Sequence, residues 1–148
     1  MIIKKISKIK KIKNFNQIKT NKKIILKVKY TKKMHDNFAI LSGDTSPIHQ
    51  KKSFSKKFGY KNLLGYGFFI NVILSNILGM IFPGGNDLCI NQISNFKKPF
   101  FINDTLFFYL TTVNKNKKNK VLNINIEVTN QKKEKIFFGS VISFLKFL

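Results

Sequence analysis

The chain has 148 residues, enough for one domain with a buried core and too few for two. Its 28 basic residues against 6 acidic ones give a net charge of +22, every basic residue is lysine, and Arg and Trp are both absent. Lys, Ile, Asn and Phe, whose codons are rich in A and T, are inflated together, so mutational pressure explains the charge; without the arginine fork that reads guanines and phosphates, sequence-specific nucleic-acid recognition is set aside.

What the lysines retain is a salt-sensitive attraction for anions, including coenzyme A phosphates and acidic carrier proteins. In chain order, "MIIKKISKIKKIK" comes first, with Ile every three or four residues among lysines. It resembles a transit peptide or a basic amphipathic arm. It has no Arg and little Ser, and no small residues follow an apolar stretch as in a secretory signal, so residues 1–23 are expected to be a solvated basic extension. The domain is then expected over 24–148. Ile24 to Tyr30 alternates as a strand does. Thr31 fits an N-cap for a helix from about Lys32 to Ser42, with Met34, Phe38 and Leu41 on one face and Gly43 ending it. Ser46 and Pro47 open a second, short helix that carries His49 in its first turn.

"LLGYGFFINVILSNILGMIF", Leu63 to Phe82, is the most apolar stretch and is long enough to cross a bilayer. Asn71, Ser75 and Asn76 in its middle, two early glycines and the Pro83, Gly84, Gly85 stop favour a core helix enclosed by a sheet instead. Four strands are expected after it, Leu88–Phe96, Thr105–Asn114, Lys120–Thr129 and Ile136–Phe147, joined by polar turns around Asn116 and from Asn130. The fold class is α+β, an antiparallel sheet around one hydrophobic helix. Cys89 is alone, so no intramolecular disulfide forms; it is expected to pack as a small apolar residue in a reducing, cytoplasmic setting, with an organelle address in the basic N-terminus as the alternative. His35 and His49 have no Cys or carboxylate cluster at ligand spacing, and neither a metal nor another cofactor is expected.

"SGDTSPIHQ", Ser42 to Gln50, concentrates an Asp, a Pro and a His in a lysine-rich chain. Asp44 and His49 are five positions apart, which separates them on a helix and puts them on opposite faces of a strand, so a bend at Gly43 and Pro47 is needed to bring them together. Near a helix N-terminus the His would remain neutral and able to accept a proton. Taken alone, a pair of this kind reads more readily as a turn cap beside a surface histidine.

"FAILSGDTSPIHQ", "FGYKNLLGYGF", "LGMIFPG" and "FKKPFFINDTL" resemble, in order and spacing, the MaoC-like family of (R)-specific enoyl-CoA hydratases and acyl dehydratases. The likeness runs from about Ile24 to the C-terminus. It implies the hot-dog fold, a curled antiparallel β-sheet wrapped around one long central helix, usually paired as a homodimer. It also implies that Asp44 and His49 are the acid/base pair that activates water for addition to a 2-enoyl thioester of coenzyme A or acyl-carrier protein, or removes it from an (R)-3-hydroxyacyl thioester. Gly67 matches the glycine whose N–H meets the thioester carbonyl, and Ser75 falls where the family has an active-site serine. Four positions depart from the pattern: Ser46 for Asn, Lys51 for an acidic residue, Tyr66 for the His before Gly67, and Asn103 for the Gly before Asp104. Tyr66 is read as a pocket wall or hydrogen-bond donor, and Asn103 can take the left-handed turn that Gly would take. The rivals are a thioesterase on the same fold and a non-catalytic acyl-thioester-binding accessory protein.

Overall fold

The structure is a computed structural model and describes residues 1–85 and 87–145. Six strands form one antiparallel sheet: β1 (Ile3–Lys5), β2 (Lys23–Lys29), β3 (Leu88–Phe96), β4 (Thr105–Asn116), β5 (Val121–Thr129) and β6 (Lys135–Phe144). Their spatial order is β1-β2-β4-β5-β6-β3. Sequence spacing finds β2 to β6 but not β1, and β3 leaves its sequence neighbour β4 and pairs with β6 at the far edge. The expected final strand runs on to Phe147; positions 146–148 lie outside the described residues.

Four helices connect or cover the sheet: α1 (Lys32–Ser42), α2 (Pro47–Gln50), α3 (Lys52–Lys57) and α4 (Phe69–Met80). α1 starts and stops as its caps dictate, with the Thr31 hydroxyl accepting from Met34 N and Gly43 at φ 71° in the left-handed region. Its inward face differs from expectation. His35 and Ala39 are buried and Leu41 is exposed, because α1 turns a histidine rather than Leu41 to the core. Pro47 opens α2 as expected, but the Ser46 hydroxyl makes no cap bond, and the Asp44 carboxylate takes the Ser46 N–H instead.

α4 is the central helix, lying against the strands' inner residues. Ile70, Ile73, Leu74 and Ile77 form one buried cluster with Leu26 and Val28 of β2, Leu106 and Phe108 of β4, Ile124 and Val128 of β5 and Val141 of β6. At about 1.5–3 kcal/mol for each large apolar side chain taken fully out of water, this face is the main source of the helix's stability. The helix is shorter than its apolar stretch. Leu64 pairs with Phe101 in an isolated bridge and Gly65 N donates to Phe100 O at 2.6 Å, so Leu63–Tyr66 runs as a non-helical lead-in, and Gly67 and Phe68 turn into the helix. Gly65 is required there, since a side chain would enter the Phe100 ring. The helix ends at Met80, a few residues before the expected Pro83, Gly84, Gly85 stop, and Gly84, at positive φ, turns its N–H back to Leu78 O in the last turn. One side of α4 is also left open: Phe68, Val72, Ser75, Asn76 and Met80 are exposed, so the sheet does not enclose the helix all round.

The basic N-terminal arm is only partly solvated. Ile3–Lys5 pairs with β2 as an edge strand, and Phe15 and Ile18 are buried in the core, so apolar contact ties down residues expected to be free. Cys89 departs from expectation as well: it lies exposed on β3 because that strand has no neighbour on its outer side. Asn103, at φ 74°, occupies the left-handed turn as expected. Among the described residues no helix is long and apolar enough to cross a membrane.

Candidate active site

The bend expected between Asp44 and His49 is present. Gly43 reverses the chain out of α1, the Ser42 hydroxyl accepts from Asp44 N at 3.2 Å, and the Asp44 carboxylate accepts from Ser46 N at 3.0 Å. Side-chain and backbone hydrogen bonds from Ser46 hold the Asp44 carboxyl below its ordinary range, and nearby His49 pulls in the same direction. At neutral pH the group is therefore a carboxylate, partly exposed at the mouth of the loop.

His49 is oriented from both sides. Its Nδ1 lies 2.9 Å from Leu64 O. A carbonyl only accepts, so Nδ1 carries the proton, and in the neutral ring Nε2 is left with a lone pair free to take one. The ring stacks against Tyr66 with centroids 4.1 Å apart at 30°. The backbone of His49 is held as well: His35 Nε2 lies 2.9 Å from His49 O, again a carbonyl, so Nε2 donates. His35 Nδ1 is then the acceptor for the Tyr30 hydroxyl at 3.0 Å. Burial pushes His35 below the usual histidine range, and burial pushes Tyr30 up, so a neutral imidazole and a protonated phenol face each other. Sequence reasoning missed His35; its place one turn into an amphipathic helix that follows a strand ending in tyrosine was the available signal.

Tyr66 is buried, and its hydroxyl is committed twice: it donates to Asp44 O at 2.8 Å and accepts from Gln50 Nε2 at 2.7 Å. The next residue, Gly67, opens the first turn of α4. Phe69 N and Ile70 N bond back to Tyr66 O and Gly67 O, both at 3.0 Å, and neither Gly67 N nor Phe68 N donates to any of the described residues. These are the free amides of a helix N-terminus, which suit a developing negative oxygen. A Cβ at Gly67 would sit 3.3 Å from the Phe96 ring, so glycine keeps this approach open.

Asp44, His49, Tyr66 and Gly67 are thus brought to one place. Ser75 is not. It lies about 12 Å further along α4, from the ~1.5 Å helical rise per residue, and its exposed hydroxyl bonds to none of them. Among the described residues no three His, Cys, Asp or Glu side chains converge as metal ligands.

Comparison with known proteins gives the family and the fold. The family model for the MaoC like domain matches residues 13–135. Over 69 residues the chain is 33% identical to the "(R)-specific enoyl-CoA hydratase" of Rhodospirillum rubrum, covering 47% of this chain and 48% of that one. Over 67 residues it is 31% identical to the "3-hydroxybutyryl-CoA dehydratase" of Methylorubrum extorquens, covering 45% and 43%. These matches therefore span about half the length of the curated relatives or less. Among solved structures, an (R)-hydratase from A. caviae involved in PHA biosynthesis superposes with a TM-score of 0.82 at 19% identity, over 87% of this chain and 98% of that chain. The hot-dog architecture is shared over nearly the whole molecule, and the chain belongs to the MaoC-like domain family.

Proposed function

We propose that this protein is a hydro-lyase acting on acyl thioesters, adding water to a 2-enoyl thioester or removing it from an (R)-3-hydroxyacyl thioester. The observation that carries the reading is the 2.9 Å contact of His49 Nδ1 with the Leu64 carbonyl. With Nδ1–H bound to the Leu64 carbonyl, a neutral ring leaves Nε2 as a proton acceptor beside a carboxylate and the free amides of α4. Water held by Asp44 and His49 gives up a proton to the pair as its oxygen bonds to C3 of the enoyl group. The C2–C3 π electrons move to the thioester carbonyl, whose oxygen is met by Gly67 N–H, and the pair returns a proton to C2. Dehydration is the same path reversed. No electron leaves the substrate, so no redox group is required by the chemistry. The names of the relatives support coenzyme A as the thiol, and the lysine-rich surface suits an anionic carrier of either kind, coenzyme A or acyl-carrier protein. Ser75 has no part in this path as drawn. We further propose a homodimer paired through β3, and a cytoplasmic setting.

The test is incubation with crotonyl-CoA. Loss of enoyl absorbance without free thiol is expected; release of free thiol would mean a thioesterase, and neither change would mean a binding protein. Asp44→Asn, which can still accept from Ser46 N, and His49→Ala should each lower hydration turnover about 10²- to 10⁴-fold. The double variant should be little worse than either, since groups that act as one unit are not additive. Near-normal turnover in either well-folded single variant would sink the pair.

A further inference from the structure

We propose that Tyr66 is a positioning residue that fixes the distance between Asp44 and His49 by tying the loop after α1 to the lead-in of α4. The proposal rests on the hydratase reading for its kinetic consequence, though not for the tether itself. The loop Gly43–Ser46 is otherwise held only by its own neighbourhood: Gly43 N bonds to Ala39 O, Asp44 N to Ser42 Oγ, and Ser46 N to Asp44 Oδ1, while Ser46 O accepts from His49 N and Gln50 N. Each of these bonds closes within α1, the loop or α2, and none reaches the body of the domain. Among the described residues the one bond that does is Tyr66 Oη–H to Asp44 O at 2.8 Å, spanning 22 positions of sequence.

The same phenol is gripped from the other end of the motif. Gln50 Nε2 donates to it at 2.7 Å, and the ring packs on His49, His35 and Phe38 with centroids 4.1, 4.7 and 4.9 Å away. The residue carrying the carboxylate, the residue carrying the imidazole and the residue before Gly67 therefore meet in one side chain. With its donor and an acceptor site both in use, and with the residue buried, the hydroxyl is not offered to substrate. It positions the loop rather than serving as a hydrogen-bond donor to substrate. Burial raises the Tyr66 phenol above its ordinary range, so it remains a donor through neutral pH.

Tyr66→Phe keeps the ring against His49 and removes both hydrogen bonds. The expected result is a fall in kcat of about 10-fold with KM for crotonyl-CoA within about twofold, because a loosened Asp44 weakens the transition state without touching substrate binding. In an Asp44→Asn background the same change should be nearly silent, since the tether acts through that carboxylate. Gln50→Leu, at an exposed position, should lower kcat in the same direction by less, and it checks the result should Tyr66→Phe fold poorly. Hydrogen exchange at the His49 and Gln50 amides should quicken in Tyr66→Phe whether or not the protein is active. Inactive wild-type protein with that faster exchange would overturn the hydratase reading and leave the tether standing. Unchanged exchange, unchanged kcat, or a rise in KM alone would overturn the tether.

Discussion

His35 and His49 are the chain's two imidazoles, and each is fixed by a backbone carbonyl: Leu64 O sets the tautomer of His49, and His49 O sets that of His35. Their environments diverge. His49 is partly exposed at the loop, while His35 is buried between Tyr30 and Tyr66, where its charged form has lost its water. Of the charged groups around it, Asp36 favours protonation, whereas His49 and Lys32 oppose it, and Lys32 is itself paired with Asp36 at 2.6 Å. The net direction is down, led by burial. The folded protein then refuses a proton that the unfolded chain accepts below its ordinary pKa of about 6.5. His35 therefore contributes stability that is fully present above that value and is lost as pH falls through it toward the folded pKa. His35→Gln should be less stable at pH 7.5, and its melting temperature should fall less than wild type's between pH 7.5 and 5.5. Parallel losses in the two proteins over that interval would show that His35 is not the group responding.

Elements were legible wherever one residue acts as punctuation. Thr31, Gly43 and Pro47 marked the start and stop of α1 and the start of α2, and the period-two runs gave the strands. The length of α4 was not legible, because the stretch from Leu63 continues the apolar run of the helix; the tertiary bridge from Leu64 to Phe101 and the close contact of Gly65 with Phe100 hold Leu63–Tyr66 out of it. Which side of α4 lies inward also depends on the sheet. Ile73 is fully buried, whereas adjacent Val72 is on the open side. Ile73→Ala should cost about 2–5 kcal/mol, the loss expected when a large aliphatic side chain leaves a cavity in a close-packed core. Val72→Ala should cost well under half of that. Urea titration of both variants checks the assignment, and equal midpoints would mean that the packing face is wrong. The site divides in the same way. Asp44, His49 and Gly67 were legible from one loop and one glycine, while His35 and the double use of the Tyr66 hydroxyl depend on partners 14 to 22 positions away in sequence, which no local pattern records.

On the scale of the molecule, the informative feature is where lysine is missing. Mutational pressure spreads 28 lysines along the chain, yet Asn62 to Phe96 contains none. The buried face of α4 accounts for part of that gap, but β3 does not: Leu88, Ile90, Ile93 and Phe96 are exposed, as are Phe68, Val72 and Met80 of the adjoining helix end and open side. β3 is also the last strand on its side of the sheet, with β6 as its one neighbour. An edge strand that stays solvated is ordinarily protected by lysine or proline, and "LCINQISNF" has neither. An edge strand that exposes four apolar side chains and carries no charge, in a chain of charge +22, stands out from its composition and marks a surface suited to pairing. The proposed homodimer places a second copy here: antiparallel pairing of β3 with its own twin would be self-complementary and would continue the sheet. Sedimentation should therefore give twice the mass of the chain at micromolar concentration. Ile93→Lys, in the middle of the strand, should shift the protein toward monomer while leaving its far-UV circular dichroism unchanged. A wild-type monomer at those concentrations would overturn the pairing, and a variant that remains a full dimer would move the interface away from β3.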